Sequence, residues 1–454
     1  MDFDSLAQQQ SDCIFQVWIQ NLLGNNPEEL AGKLATRHCP GSKAITAKRL
    51  PNGAFNVCYR VTFEDSRRVV VRFVGMGRVT ARNEKVENEI AIMQYIAQHA
   101  AIPIPHVHGS GKCAVGPYIV MDFVQGEPLS KYLRDASHPT VTLSSTIPPS
   151  VLRRAYSAMA EILLELSKPE FPFIGAIRQN DTGGWTVQKR PLTSNMNRLA
   201  QFSNIPLQVF GSGRFTNAAD YFEELACHHL HHLELQRNDA VTDEADCRKK
   251  YVARCLFRKL SREIPREWGN GPFRLYCDDL RPDNVLVDAT RLAVAGVIDW
   301  EFCYAAPVEF TMAAPWWLLL ESPEDWDTDL NQFLQRYMPR LRTFLDVLKD
   351  CETKRIHDGS LSQSKRLSTA MEKSMETGLF WVCLAARHSS MFDEIYWQFI
   401  DSRFYGVFTT LEDRIQLLSS DDQLKMGGYV ENKLRESKEG TLASHYSIDE
   451  LVDL

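Results

Sequence analysis

Two kinds of hydrophobic pattern divide this chain into a strand-rich part and a helix-rich part. The runs FNVCYRVTF and RRVVVRFVG favour β-branched and aromatic residues and are separated by the turn-like EDS, so they predict two strands. Apolar residues then recur at helical spacing within residues 82–99, at Ile90, Met93, Ile96 and Ala97. After about residue 128, long amphipathic helices dominate, at 150–167, 217–235, 243–264, 327–350 and 365–389. The pattern predicts a small sheet with one helix, followed by a large helical part.

The two ends of the chain carry different patterns. Residues 1–45 are partly polar but contain the apolar stripe of IFQVWIQNLL, which predicts a helical extension. Residues 426–454 are polar and charged, which predicts a loosely held tail that ends in one short helix, SIDELVDL.

Composition and charge narrow the class of protein. The 454 residues are 44% hydrophobic and 24% charged, which is a globular composition, and there is no run of about 18 apolar residues that would predict a transmembrane helix. The net charge of −7 argues against a nucleic-acid partner, which usually needs a basic surface. Eleven cysteines without a C-x-x-C pair favour reduced thiols, and the acidic start MDFDSLAQQQSDC lacks the features of a targeting sequence. We therefore predict a cytoplasmic protein that does not bind a membrane.

The stretch YCDDLRPDNVLVD places several acids and an amide at the start of a strand-like run. Asp279 and Asn284 have the D-x-x-x-x-N spacing of a kinase catalytic loop, and Asp299 ends a second apolar run in GVIDWEF. The segments NVLV and AGVI, joined by the turn DATR, predict a hairpin that brings Asn284 close to Asp299. Phosphoryl transfer needs a carboxylate at the attacking hydroxyl and oxygen ligands for Mg²⁺. The three side chains are therefore predicted to converge on one point.

These motifs and their order resemble the aminoglycoside phosphotransferase family of small-molecule kinases, most of all its fungal phosphotransferase-like branch. The catalytic loop and GVIDWEFCYAAPVEF carry the resemblance, with PWWLLLESPEDW downstream. Upstream, LPNGAFNVCYRVTF is similar to the family's nucleotide-covering hairpin and VMDFVQGEPL to its hinge. The resemblance covers about residues 48–425 and implies an α+β, bilobal protein kinase-like fold with a β-rich N-lobe and a mostly helical C-lobe. It divides the chain into a helical extension (1–45), a nucleotide-binding N-lobe (46–124), a catalytic and substrate-binding C-lobe (125–425) and a polar tail (426–454).

The resemblance also implies a function, an ATP-dependent small-molecule kinase with ATP and Mg²⁺ as cofactors. It implies that Asp279 is the catalytic base and that Asn284 and Asp299 hold the metal. The nucleotide-binding residues that it implies are Gly53, Asn56, Arg72, Glu89 and the hinge residues Met121, Asp122, Phe123 and Val124. It also implies that Glu89 pairs with the basic residue on the preceding strand, here Arg72, and orients it. The acceptor is expected to be a small molecule, with cationic compounds and secondary metabolites as candidates, and the oligomeric state stays open.

Two positions depart from the family's pattern. The lysine expected on the strand is Arg72, and the common His-Gly-Asp is Cys277-Asp278-Asp279. The second acid, Asp278, either raises the pKa of its neighbour or points to solvent. The departures keep an alternative open, a catalytically impaired pseudokinase or scaffold that binds nucleotide without transferring phosphate. A protein-substrate kinase is less favoured, because no A-P-E segment follows Asp299.

Glu301, just beyond the predicted metal-binding Asp299, has two possible roles. It either adds negative charge beside the metal or is a solvated acid at a strand end, and the sequence does not choose between them. For Glu89 the alternative is a place on a solvated helix face, because it shares its helix with Glu84 and Glu87. Only its register relative to Met93 favours the nucleotide-binding role.

Overall fold

An antiparallel sheet and three helices form the N-terminal part of the computed structural model, which describes residues 1–51, 53–264, 269–326 and 329–454. The elements are α1 (Ser5–Gly24), α2 (Pro27–His38), β1 (Ala44–Arg49), β2 (Asn56–Phe63), β3 (Arg68–Val74), α3 (Arg82–His99), β4 (Val107–Cys113) and β5 (Gly116–Asp122). The five strands pair in the order β1–β2–β3–β5–β4. The two strands predicted from the first apolar runs are confirmed as β2 and β3, which place Cys58 opposite Arg72.

Helices α1 and α2 cover one face of this sheet. Trp18 of α1 and Leu34 of α2 are buried in a cluster with Tyr59 of the sheet. The indole N–H of Trp18 also donates a hydrogen bond to the Val115 carbonyl oxygen at 2.7 Å. The helical extension predicted for residues 1–45 is therefore helical, and it is part of the packing of the sheet.

Helices dominate the C-terminal part, as the hydrophobic pattern predicts. Its strands are β6 (Glu127–Pro128), β7 (Ala176–Gln179), β8 (Trp185–Lys189), β9 (Arg274–Cys277), β10 (Val285–Val287), β11 (Val294–Val297) and β12 (Cys303–Ala306). Its helices are α4 (Pro149–Leu166), α5 (Ser194–Phe202), α6 (Ala218–Leu235), α7 (Glu244–Ser261), α8 (Val308–Met312), α9 (Leu330–His357), α10 (Leu367–Thr377), α11 (Leu379–Arg387), α12 (Phe392–Ile395), α13 (Asp401–Tyr405), α14 (Leu411–Ile415), α15 (Ser420–Glu439) and α16 (Ile448–Asp453). The helices predicted at 150–167, 217–235, 243–264 and 327–350 correspond to α4, α6, α7 and α9; residues 327 and 328 lie outside the described residues.

One predicted helix is two helices. The segment 365–389 breaks at Gly378, which separates α10 from α11 and has a φ of +83°. A left-handed residue of this kind ends a helix, and glycine adopts it without the steric cost that a Cβ brings. The apolar periodicity continues across the break, which is why the pattern alone predicts one helix.

The C-terminal segment packs against the rest of the molecule, so the prediction of a loosely held tail is wrong for it. Helix α15 runs through residue 426, where we placed the start of the tail, and buries Met426 and Val430. The predicted short last helix is present as α16. The backbone N–H of Asn83, at the start of α3, donates to the carbonyl oxygen of Leu454 at 2.9 Å.

The predicted α+β, bilobal and kinase-like architecture is confirmed, with a β-rich N-terminal lobe and a larger, mostly helical C-terminal lobe. The strand β5 leads from the sheet into the C-terminal lobe, and the β10–β11 hairpin lies beside this connection, since β10 pairs antiparallel with β6, directly after it. The hairpin also contacts the segment between α3 and β4, where the Val297 N–H donates to the Pro103 carbonyl oxygen at 2.8 Å. None of the helices in the described part of the chain combines the length and apolarity that crossing a bilayer requires.

Candidate active site

The candidate catalytic loop joins two short strands of the C-terminal lobe. Strand β9 ends at Cys277, and a single 3-10 turn, Pro282–Asn284, leads into β10. Strand β10 pairs antiparallel with β11. The backbone N–H of Ile298 donates to the carbonyl oxygen of Asn284 at 2.9 Å, which continues the pairing past the end of β11. The predicted hairpin is therefore confirmed, and it brings Asn284 beside the residue that precedes Asp299.

Asp279 and Asn284 are in direct contact. The Asn284 side-chain amide donates to the carboxylate Oδ2 of Asp279 at 3.1 Å and to its carbonyl oxygen at 2.8 Å. The pKa of Asp279 is raised to about 6, chiefly by burial and also by the charge of Glu301, although Arg281 and Asn284 oppose this rise. A carboxylate with a pKa near neutral pH is suited to accept a proton from a substrate hydroxyl.

Arg72 links the sheet to α3 and to the end of the hairpin. Its side chain is only 3% exposed, and its Nη1 donates to Oδ1 of Asp299 at 2.8 Å. Its Nη2 contacts the buried carboxylate of Glu89 on α3. The resemblance implied this pairing with Glu89, and the arginine at this position makes it. A guanidinium has five N–H donors, and the buried Nε of Arg72 has no hydrogen-bond partner within the described part of the chain.

Asp299 adopts an unusual backbone conformation directly after β11. Its φ is +58°, in the left-handed region that costs a non-glycine residue about 1 kcal/mol or more. Burial and the negative charge of Glu301 together raise the pKa of its side chain to about 7, although Arg72 opposes this rise. Asp299 therefore lies close to the negative charge of Glu301 as well as to the positive charge of Arg72.

The oxygen ligands around Asp299 fit a magnesium ion that is shared with a substrate. The described residues contain no group of three or more His, Cys, Asp or Glu side chains placed to hold a metal. However, Mg²⁺ is commonly held by one or two carboxylates together with substrate phosphates and water, so a full cage of protein ligands is not required. The carboxylate of Asp299 and the amide oxygen of Asn284 are oxygen donors of that kind, so the donor chemistry fits Mg²⁺.

A buried ion pair beside this cluster was not predicted. Lys85 of α3 contacts the carboxylate of Glu301, and the two side chains are 0% and 3% exposed. Asn56, the first residue of β2, donates to Oε2 of Glu301 at 3.1 Å and accepts from the Lys85 ammonium at 3.2 Å. Burial alone would raise the pKa of Glu301, but Lys85 and Arg72 bring it below its usual value. Glu301 is therefore not the solvated acid that we considered. The sequence did carry one signal that Lys85 faces the site: it lies one helical turn before Glu89, on the same face of α3.

The two residues that depart from the family's pattern are both buried. Cys277 lies opposite Cys303 in the β9–β12 pairing, and its thiol lies 3.7 Å from the Glu301 carbonyl oxygen. Asp278 does not point to solvent. It accepts a hydrogen bond from the Ser194 N–H at 2.9 Å and forms an ion pair with Arg387 at 3.7 Å. Burial raises the pKa of Asp278, although Arg387 opposes this rise.

The sequence of this chain matches a known family over most of the two lobes. Residues 46–344 match the model of the phosphotransferase enzyme family, APH. The chain belongs to this family. The clavilactone A biosynthesis cluster protein Y of Ampulloclitocybe clavipes is 26% identical to this APH-family chain over 283 residues, which are 60% of the chain and 63% of that relative. The chain therefore spans just under two thirds of the length of this curated relative.

Solved structures of low sequence identity align with this APH-family chain over most of its length. A putative aminoglycoside phosphotransferase from Ralstonia eutropha has 12% identity and a TM-score of 0.43, and the alignment covers 90% of this chain and 97% of that one. The GDP complex of a variant of the aminoglycoside 2′-phosphotransferase IIIa has 14% identity and a TM-score of 0.41, with 90% and 98% covered.

The implied hinge of this APH-family chain follows β5. The N–H of Asp122 donates to the His106 carbonyl oxygen at 2.9 Å, and that of Phe123 donates to the Arg68 carbonyl oxygen at 3.1 Å. These two N–H groups are thus engaged within the sheet. Met121 also lies within it, opposite residues of β3 and β4. Val124 packs closely on Gly296 of the hairpin, where an added Cβ would lie 2.8 Å from Val124 Cγ1. A role in adenine binding stays a prediction for the hinge.

Gly53, the glycine of the implied nucleotide-covering hairpin, has no close neighbours among the described residues. No heavy atom lies within 4 Å of the position that a Cβ on Gly53 would occupy. Gly53 is exposed, whereas Asn56 is only 8% exposed and belongs to the Lys85–Glu301 contacts. There is therefore open space beside Gly53, and the side-chain contacts of Asn56 hold the end of the segment 53–55 in place. A role over the phosphates stays a prediction for both residues.

Proposed function

We propose that this protein is an ATP-dependent kinase that transfers the γ-phosphate to a hydroxyl group of a small molecule. The observation that carries the proposal is the contact of Asn284 with Asp279, beside an Asp299 that Arg72 holds through a hydrogen bond of 2.8 Å. A candidate base, oxygen ligands for a metal and a cation for phosphates thus come from separate parts of the chain to one region between the lobes. Phosphoryl transfer needs these components.

Asp279 would act on the acceptor. The acceptor oxygen forms a bond to the γ-phosphorus, the bond between that phosphorus and the bridging β–γ oxygen breaks, and ADP leaves. The hydroxyl proton passes to the Asp279 carboxylate, whose pKa of about 6 leaves it mostly ionised at neutral pH. Base assistance of this kind is worth roughly 10²–10⁴-fold in rate.

Arg72, Asn284 and Asp299 would act on the nucleotide. Arg72 offers its remaining N–H donors to phosphate oxygens, and Glu89 holds its guanidinium from the opposite side. Asn284 and Asp299 would hold Mg²⁺, which neutralises negative charge on the phosphates when it is bound. The hinge, from Met121 to Val124, would contact the adenine, and the segment from Gly53 to Asn56 would cover the phosphates.

The acceptor is proposed to be a metabolite with a free hydroxyl group. Membership of the APH family supports a small molecule. Similarity to a protein from a clavilactone A biosynthesis cluster supports a secondary metabolite. A cationic acceptor stays a prediction from the sequence. A cytoplasmic location and the absence of a nucleic-acid partner stay predictions from the sequence, and the choice between ATP and GTP is a matter for experiment.

The alternative, a pseudokinase or scaffold that binds nucleotide without transferring phosphate, is less favoured. It rested on Arg72 and Cys277 in place of the family's usual residues. Arg72 nevertheless contacts both Glu89 and Asp299, and Cys277 is accommodated in the strand pairing without displacing Asp279 from Asn284. Neither substitution removes a component that phosphoryl transfer needs.

A coupled assay of ADP release tests the proposal. Purified protein with ATP or GTP and Mg²⁺ is offered amino-alcohols, sugars and polyketide-like metabolites. At least one acceptor is expected to release ADP (or GDP from GTP) in stoichiometric amounts with a phosphorylated product that mass spectrometry detects. Tight nucleotide binding without turnover on any acceptor would instead support the scaffold.

A further inference from the structure

The ion pair of Lys85 and Glu301 connects three separate segments at the candidate site. Lys85 lies on α3, Glu301 follows β11 by four residues, and Asn56 begins β2. The three side chains form a closed triangle, because Lys85 contacts both partners and Asn56 also donates to Glu301 at 3.1 Å. Each polar group in the triangle is thus bonded to the other two.

Burial makes this triangle unusual. All three residues are less than 9% exposed. A buried charge is costly unless it is paired, and a buried ion pair is often no better for stability than apolar side chains of similar size. General stability therefore does not explain why a lysine and a glutamate occupy these positions. What the triangle does provide is a fixed distance between Asn56 and Glu301.

The location of the triangle indicates which segment of the chain it positions. Helix α3 contributes both Glu89 and Lys85, one turn apart, and reaches the segment after β11 through two links. Glu89 reaches Asp299 through Arg72, while Lys85 reaches Glu301 directly. Of these two links, the one through Lys85 also holds Asn56. Backbone pairing with β3 holds the main chain of Asn56, whereas Lys85 and Glu301 hold its side chain, at the end of the segment 53–55.

On the basis of the proposed function, we propose that Lys85 and Glu301 are positioning residues that hold Asn56, and with it the segment that starts at Gly53, over the phosphate groups of the nucleotide. They act through Asn56 rather than on the reacting atoms. Loss of the triangle should weaken the binding of the phosphate groups and leave the binding of the nucleoside largely unchanged.

The test compares nucleotide and nucleoside binding in variants of the full chain. Calorimetry measures the dissociation constants of Mg·ATP and of adenosine for the wild type, for Lys85→Met and for the double variant Lys85→Met/Glu301→Met. We expect the affinity for Mg·ATP to fall by about tenfold or more in both variants, which corresponds to about 1.4 kcal/mol, while the affinity for adenosine changes by less than about twofold. If the protein prefers GTP, then GTP and guanosine replace this ligand pair.

The double variant separates positioning from folding. Lys85→Met alone leaves the Glu301 charge buried without its partner and should lower the melting temperature, and removal of both charges should restore most of it. The proposal predicts that Mg·ATP affinity does not recover with the melting temperature. A double variant that regains both would assign Lys85 and Glu301 to stability alone and overturn the proposal. A parallel loss of ATP and adenosine affinity would overturn it as well.

A matched control uses another buried lysine. Lys433 on α15 is 1% exposed; in the C-terminal lobe its ammonium donates to the carbonyl oxygens of Glu234 and Gln236 and pairs with Glu436. Lys433→Met should lower the melting temperature without changing the ratio of the two affinities. If the wild type binds neither nucleotide, the proposed function fails. If it binds Mg·ATP and the Lys85 variants bind it equally well, only the present inference fails.

Discussion

Arg72 holds Asp299 from one side and Glu89 from the other. Its Nη1 lies 2.8 Å from Oδ1 of Asp299, and its Nη2 contacts the carboxylate of Glu89. Both Arg72 and Glu89 are almost fully buried. One guanidinium therefore joins the sheet both to α3 and to the end of the β10–β11 hairpin. This is the position at which the chain departs from the lysine that the resemblance implies.

Two substitutions of Arg72 should distinguish the contribution of its charge from the contribution of its planar shape. Arg72→Lys keeps the charge but loses the planar fork that reaches two carboxylates, so kcat/KM for ATP should fall about tenfold with a small loss of stability. Arg72→Met leaves Glu89 buried and unpaired, and the free energy of unfolding should fall by about 3 kcal/mol. Urea denaturation and the ADP assay measure the two effects. A lysine variant as impaired as the methionine variant would contradict this account.

The pair of Asp278 and Arg387 should act on stability. Arg387 is 6% exposed, and its guanidinium also lies over the rings of Tyr276 and Phe310. Arg387→Met leaves the buried Asp278 without its cation, and we expect a loss of about 3 kcal/mol in the free energy of unfolding. Asp278→Asn in the same chain should recover part of this loss. The prediction is wrong if the single and double variants unfold at the same urea concentration.

Replacement of two glycines by alanine should change the stability of the protein in opposite directions. Gly378 has a φ of +83°, and a Cβ there would lie 2.6 Å from the side chain of Arg403. Gly378→Ala should therefore destabilise the protein by about 1 kcal/mol or more. Gly427 lies within α15 with nothing within 4 Å of an added Cβ, so Gly427→Ala should stabilise it by about 0.5–1 kcal/mol. Thermal denaturation of both variants measures the pair, and equal shifts of the same sign would contradict the prediction.

His232 should make stability depend on pH. It is fully buried on α6, with its Nε2 2.8 Å from Ser203 Oγ and from Gln236 Oε1. Burial, and then the charge of Arg254, lower the pKa of His232 well below 6.5, so the unfolded chain takes up a proton that the folded protein excludes. Its contribution to stability is therefore present above about pH 6.5 and lost as the pH falls.

The measurement for His232 is a difference between two proteins. The free energies of unfolding of the wild type and of His232→Gln are compared between pH 7.5 and 5.5, so that other titrating groups cancel. The advantage of the wild type should shrink below pH 6.5 by up to about 1.4 kcal/mol for each pH unit. Parallel pH profiles of the two proteins would show that His232 is protonated equally in both states.

The parts of the site that the sequence predicts are local along the chain. Asn284 and Asp299 belong to one hairpin with a short turn, so the pairing of two apolar runs was enough to bring them together. The pairing of Arg72 with Glu89 came from the resemblance, with the register of α3 as support, and both residues lie on neighbouring elements. In each case a few residues of known spacing carry the prediction.

The contacts that the sequence does not predict join segments far apart. Asn56 and Glu301 are separated by 245 residues, and no periodicity relates them. Lys85 shares a charged stretch with Glu84 and Glu87, so its position on the buried face of α3 is visible only once the C-terminal lobe is in place. The packed C-terminal segment was missed for the same reason: its composition is polar, and its contacts with α3 involve backbone carbonyl groups that any residue supplies.

The most direct test of the central claim is the rate of ADP release by Asp279→Asn with an accepted substrate, measured together with its affinity for Mg·ATP. Asparagine keeps the shape of Asp279 but cannot take up the hydroxyl proton, so the rate should fall by roughly 10²–10⁴-fold while nucleotide affinity changes little. Asp288→Asn, in the exposed turn of the same hairpin, serves as the control and should keep the wild-type rate. Turnover by Asp279→Asn at the rate of the wild type would contradict the assignment of the catalytic base and the proposed chemistry of this site.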